Sequence, residues 1–201
     1  MTSSPVDVAV RRAGPGDRDL LLHWANDPAT RAASFHPGRI DPETHDRWFA
    51  ARLASANGGI WIGEVDGWPI GQVRVTRVDV DGRRGEVSIS LAAESRGRRL
   101  SRPLLLAAMT AASRDLDVTT FVAAVRHGNA ASRALFLGAG FSDESADVRN
   151  GVACTILVRI ADPLRRSTRL PGRSTREQAA GRPFGERATQ APPARTTSGS
   201  E

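Results

Sequence analysis

The chain has no lysine and no tyrosine in its 201 residues. All 28 basic side chains are arginine, which cannot act as a general base or form a Schiff base, and no phenol is available as a proton donor. Acid–base chemistry therefore falls to Asp, Glu, the four His, the one Cys, or water. The single cysteine, Cys154, excludes an intramolecular disulfide and gives no zinc motif; in an apolar strand it reads as a small core residue. No apolar run approaches the roughly 18 residues of a membrane-spanning helix and no signal-peptide pattern is present, so a soluble cytoplasmic protein with no membrane partner is the expectation.

The charge is unevenly spread. Residues 162–201 hold eight Arg against four acidic residues, mixed with Pro, Gly, Ser, Thr and Ala and almost no large apolar side chains. A disordered tail is expected there, leaving one domain over 1–161. The tail carries +4 of the formal +6, so the domain itself is nearly neutral. Excess charge on a flexible end, with no structured stripe of stacking aromatics, does not imply nucleic acid as a partner, the tail itself apart.

What is present reads as alternating elements. Val6 to Val10 alternates as a strand, and Gly14-Pro15-Gly16-Asp17 breaks it before a helix with Leu20, Leu21, Leu22 and Trp24 on its apolar side, ending at Asn26-Asp27-Pro28. An irregular stretch through Phe35-His36-Pro37-Gly38 precedes a second helix from Asp41-Pro42-Glu43, with Trp48, Phe49, Ala50 and Leu53 at core spacing and Asn57-Gly58-Gly59 as its end. Strands at 60–65, 70–80 and from Glu86, joined at Asp66-Gly67 and Asp81-Gly82, make an antiparallel meander. A helix over 100–116, a strand over 119–125, a helix over 130–137 and two strands joined at Asn150-Gly151 complete the order. This predicts an α/β fold, one mixed and mostly antiparallel twisted sheet of about seven strands flanked by about four helices.

The stretch from Glu86 to Ala112 organises the rest. A strand over 86–91, a polar turn from Ala92 to Arg99 and a helix from Leu100 put Arg96-Gly97-Arg98-Arg99-Leu100-Ser101 at a bend where main-chain N–H groups and a helix N-terminus converge. Such a bend is an anion site suited to a pyrophosphate. Ser101 is read as the N-cap, with Pro103 in the first turn.

These residues resemble the acyl-CoA signature of the GNAT superfamily of acetyl-CoA-dependent N-acetyltransferases, Arg/Gln-x-x-Gly-x-Gly/Ala, with Arg99 and Ser101 standing where that signature has Gly and Gly/Ala. A second stretch, Asn129-Ala130-Ala131-Ser132 through Leu135-Phe136 to Gly140-Phe141, is similar to the family's Asn-x-x-Ser-x-x-Leu-Phe/Tyr segment. The N-terminal pattern Leu22-His23-Trp24-Ala25-Asn26-Asp27, Arg31, Ser34-Phe35, His45 and Trp48-Phe49, with Gly71-Gln72-Val73-Arg74, is similar to enzymes that acetylate the 4-amino group of nucleotide-linked deoxyamino sugars on the way to nonulosonic acids such as pseudaminic acid. It is shared in part by ribosomal-protein N-terminal acetyltransferases.

The resemblance implies acetyl-CoA as co-substrate, no metal, and a small-molecule amine acceptor, with a monomer or homodimer as the assembly. Arg96 to Ser101 would hold the diphosphate, Ser90 and Leu91 would offer main-chain N–H groups to the acetyl and pantetheine oxygens, and Asn129 would bond the pantetheine or phosphate arm unless it serves only as a helix cap. Phe136 stands where relatives often place a tyrosine acid. Glu86 is the first choice for the base and His45 the second; the plainer readings are a carboxylate paired with an Arg and a surface histidine. Asn26, Arg31 and Arg74 would face the acceptor. Arg99, Ser101 and Phe136 keep a non-catalytic CoA-binding module open as an alternative.

Overall fold

A computed structural model describes residues 6–161; the expected tail, 162–201, lies outside the described residues. Seven strands form one sheet: β1 (Ala9–Arg12), β2 (Gly58–Val65), β3 (Trp68–Arg77), β4 (Arg84–Leu91), β5 (Thr120–Arg126), β6 (Ser142–Arg149) and β7 (Val152–Ile160). Their spatial order is β1-β2-β3-β4-β5-β7-β6, antiparallel throughout except for the parallel pair β4 and β5. The turns at Asp66-Gly67 and Asn150-Gly151 each place both residues at positive φ, the geometry of a two-residue hairpin that follows the twist of its strands.

The α-helices are α1 (Arg18–Ala25), α2 (Pro28–Ala33), α3 (Pro42–Ala54), α4 (Ser101–Leu116) and α5 (Ala130–Gly138). Five replace the expected four. The addition, α2, occupies a stretch read as irregular; Asp27 caps it by accepting from the Thr30 N–H, and Pro28 is its first residue. None of its residues is buried, so no apolar stripe announces it. Two other boundaries move. Gly58 and Gly59 open β2 instead of closing α3, because side chains there would collide with the Val75 carbonyl and the Arg12 guanidinium. The strand expected to reach Val80 ends at Arg77.

The sheet separates two cores. Val73, Val75 and Val87 face α4, where Leu104, Leu105, Ala108 and Ala112 are fully buried, and Phe136 and Phe141 join the same cluster. Ile60 and Ile62 face the other way, against Leu21 and Trp24 of α1 and Phe49 of α3. On α3 the inward positions are His45, Trp48, Phe49 and Arg52, an i, i+3, i+4, i+7 stripe, while Ala50 and Leu53 are exposed. Among the described residues no helix is long and apolar enough to cross a membrane.

Candidate active site

The parallel pairing of β4 with β5 runs only from Arg84↔Thr120 to Glu86↔Val122, whereas β4 continues against β3 to Leu91. Main-chain bonds from Val78 N–H to the Arg84 carbonyl and from Ala92 N–H to the Ile70 carbonyl fix the phase of the β3–β4 ladder. In an antiparallel ladder alternate residues pair, so Glu86, Ser88 and Ser90 spend their main-chain groups on β3 and the N–H groups of Ile89 and Leu91 point across the gap that opens toward β5. The expectation for Leu91 fits this gap. For Ser90 the N–H faces β3 instead, and Ile89 takes the place assigned to it.

Beyond the gap the chain bends into α4. Gly97 and Arg99 both lie in the left-handed region, φ 73° and 60°, and Leu100 returns to helical values at φ −83°, ψ −17°. Alternation of this kind turns successive N–H groups toward one point, a nest for an anion. Ser101 is the first helical residue and not the cap; Leu100 flanks the helix without a side-chain bond, which leaves the first-turn N–H groups free for a ligand. The Leu100 side chain is in the core, so only its main chain is on offer. Arg98, Arg99 and Arg102 are exposed and make no hydrogen bond or ion pair with described residues, so their charge stands beside the bend. Arg96 differs. Its Nη2 donates to Asp27 Oδ1 (2.6 Å), to Thr30 Oγ1 (3.2 Å) and to the Leu91 carbonyl (3.1 Å), tying the bend to α2, and this bond holds the Asp27 carboxyl well down, at about 2.

On the α1–α3 side, the sheet carries a polar row: Ile60↔Arg74 and Arg74↔Ser88 are register partners, with Gln72, Thr76, Glu86 and Ser90 on the same face. Two connections roof it. Arg126 of β5 donates to the carbonyls of Ala32 and Ser34, and Asn150 at the β6–β7 hairpin contacts His36 at 2.8 Å. A channel walled in this way, with N–H groups at the strand gap behind it and an anion bend at its end, can align an acyl donor with a second molecule.

A family model described as acetyltransferase (GNAT) domain matches residues 7–142. The chain belongs to this family. No curated protein matches the sequence. Among solved structures, a spermidine N-acetyltransferase from Vibrio cholerae in complex with CoA and spermine is 16% identical, with a TM-score of 0.67, covering 77% of this chain and 95% of that one. The aminoglycoside acetyltransferase AAC(6′)-Ib in complex with coenzyme A and kanamycin is 18% identical, with a TM-score of 0.67 and the same coverage. A ribosomal-protein-alanine N-acetyltransferase from Brucella melitensis is 23% identical, with a TM-score of 0.64, covering 76% and 99%. These likenesses speak for the fold.

Within this GNAT domain several expected site residues are already occupied. Glu86 receives Nη1 of Arg149 on both oxygens, at 2.8 and 2.7 Å, from a residue 63 positions away. Asn26 clamps Ile40, its Nδ2 donating to the Ile40 carbonyl and its Oδ1 accepting the Ile40 N–H, both at 2.8 Å. Arg31 donates to the His36 and Gly38 carbonyls. Both side chains shape the 34–40 loop over the channel. Asn129 caps α5, accepting the Ser132 N–H at 3.0 Å, which leaves its amide N–H groups for a ligand. Phe136 is 4% exposed and meets Phe141 edge-on, at 5.0 Å and 71°.

His45 is neither a surface histidine nor a reachable base. It is 2% exposed, stacked beside Phe49 and tilted against Trp48, and neither ring nitrogen has a partner. Burial pushes its pKa below the ordinary 6.5. Unfolded chains then take up the proton first, so this contribution to stability is complete above pH 6.5 and is lost as pH falls through 6.5 toward the lower folded value. His45→Phe is expected to flatten that part of the profile, checked by urea midpoints between pH 7 and 5; an unchanged slope would assign it to another group.

Arg99 stands in the left-handed region with its side chain turned out to solvent, so the main-chain N–H groups of the bend stay uncovered. A non-glycine residue there costs roughly 1–2 kcal/mol, part of which glycine returns as chain entropy. Arg99→Gly is expected to raise stability by about 0.5–1 kcal/mol net, read from thermal or denaturant midpoints.

Proposed function

We propose that the protein moves the acetyl group of acetyl-CoA to a primary amine, and that the acceptor is the 4-amino group of a nucleotide-linked deoxyamino sugar. The observation that carries the transfer reaction is the strand gap with the N–H groups of Ile89 and Leu91 facing it, opening beside the Gly97–Ser101 bend. The diphosphate sits on the bend, and the thioester carbonyl takes an N–H in the gap, which stabilises the oxyanion as charge develops. The amine nitrogen attacks the carbonyl carbon, the C–N bond forms and the C–S bond breaks. Glu86, held by Arg149, accepts the amine proton through water. Phe136 has no hydroxyl, so the departing thiolate takes its proton from water.

The sugar acceptor is supported by the N-terminal pattern from Asn26 to Phe49, whose polar members Asn26 and Arg31 build the loop over the channel. The test is to incubate the full chain with acetyl-CoA and 4-amino-4-deoxy sugar nucleotides and look for the mass gain of one acetyl group. Acetylation of peptide N-termini with none on sugars would move the acceptor to protein. Calorimetric binding of CoA without turnover on any amine would leave a binding module.

A further inference from the structure

Several of the described arginines are held by a carboxylate, among them Arg11 by Asp17, Arg96 by Asp27, Arg133 by Asp143 and Arg149 by Glu86. Arg74 has none. It lies in the middle of the channel floor, half-buried, between Ile60 of β2 and Ser88 of β4. Its guanidinium carbon stands 5.7 Å from the centre of the Trp48 ring, and no carbonyl or carboxylate among the described residues accepts from it. Its nitrogens are not sealed off, unlike Nε of Arg31. The aromatic face supports the guanidinium from one side and leaves its fork of N–H donors for a ligand.

The surroundings reinforce the charge. Arg52 donates to Thr76 Oγ1 at 3.2 Å on the same face and adds repulsion to the cost of burying Arg74. Glu86 is the carboxylate that pulls on Arg74, and Arg149 holds both of its oxygens. With Arg126 capped by carbonyls, the channel presents four guanidinium groups against Glu86 and Asp147, both engaged by Arg149. Such a lining repels a polycation and is completed by an anion.

We propose that Arg74 is the seat for an anionic group, phosphate or carboxylate, on the same molecule that brings the amine. The proposal rests on the reading that this channel receives the acceptor. Anchoring at Arg74 fixes the amine by distance from the anion, toward the gap beside Leu91, so a phosphate-bearing amine is selected over an uncharged one of the same skeleton.

The experiment compares one amino sugar free, as its nucleotide diphosphate and as its uronate, alongside spermine and kanamycin, in the full-length chain and in Arg74→Gln. The wild type is expected to favour an anionic form by at least about 10-fold in kcat/KM, and the preferred form identifies the anion. Arg74→Gln should raise the KM for that form about 10- to 100-fold, the range for a charge-assisted bond, without moving the KM for acetyl-CoA. Arg74→Lys should recover part of it and stands in if Arg74→Gln does not fold. Equal rates on spermine, or an unchanged acceptor KM in both variants, overturns the seat while leaving acetyl transfer intact. If no amine is acetylated, the transfer reading fails by itself, and uridine diphosphate titrated into CoA-saturated protein decides on Arg74: weaker binding in the variants supports it, equal or absent binding ends it.

Discussion

Ser101→Glu is expected to lower acetyl-CoA affinity by about 100-fold or more while leaving the fold at least as stable as before. Ser101 opens α4, and the first helical main-chain bond runs from the Leu104 N–H to the Leu100 carbonyl, so the N–H groups of Ser101 and Arg102 have no helical partner. Pro103 has no N–H to add. With the N–H groups of the Gly97–Arg99 turn, these make the grip on the diphosphate. A carboxylate at the first helical position competes for the same donors and faces the diphosphate directly. Like charges 4 Å apart at an effective dielectric of 20 repel by about 4 kcal/mol, and half of that already exceeds a 10-fold loss. The helix itself gains, because an acidic residue in the first turn complements its dipole by about 0.3–1 kcal/mol. Ser101→Gln separates bulk from charge and is expected to fall between the two. Calorimetric titration with CoA reads the affinity and thermal unfolding the stability; unaltered affinity in Ser101→Glu would place the diphosphate away from this bend.

The bend was legible in the sequence because its signals are local. Gly97 and Pro103 state their backbone requirements by themselves, as do Asp66-Gly67 and Asn150-Gly151 at the hairpins, and the meander followed from them. Arg99 is the complementary case: its left-handed φ is imposed by the bend around it and is not a preference of arginine. Partners distant in sequence were out of reach. Nothing near Glu86 announces Arg149, and nothing near Arg96 announces Asp27, 69 positions earlier, although each pairing decides what its residue is free to do. His45 shows the limit of periodicity. It completes the inward stripe of α3 with Trp48, Phe49 and Arg52, yet as a polar residue it was read as a base or a surface histidine, and Leu53 was assigned to the core. Asn26 and Arg31 were read as facing the acceptor, but whether such side chains hold a ligand or a loop depends on where the carbonyls of Ile40, His36 and Gly38 arrive.

The aim of that bend depends on how α4 rests on the sheet, and Leu104 comes down directly on Gly63 there. Leu104 is fully buried, and a Cβ on Gly63 would lie 2.3 Å from its Cδ1. Leu104→Ala removes contacts that the densely packed strands beneath cannot close over, and is expected to cost about 3 kcal/mol. Gly63→Ala alone forces the Leu104 terminus off its position and is expected to cost about 1–2 kcal/mol by overpacking. Together the two changes do not add. With the Leu104 terminus gone, the new methyl enters the vacated volume, and alanine fits the strand better than glycine, so Leu104→Ala/Gly63→Ala is expected to be about 1 kcal/mol more stable than Leu104→Ala. The same substitution thus changes sign with its neighbour, the coupling expected of two residues that share one volume. Urea unfolding of the four proteins measures this, and additive costs would mean that α4 rests elsewhere. Because Leu104 lies one turn from Ser101, CoA affinity is expected to fall in Leu104→Ala and to return partly in the double variant, linking a core contact to the grip on the diphosphate.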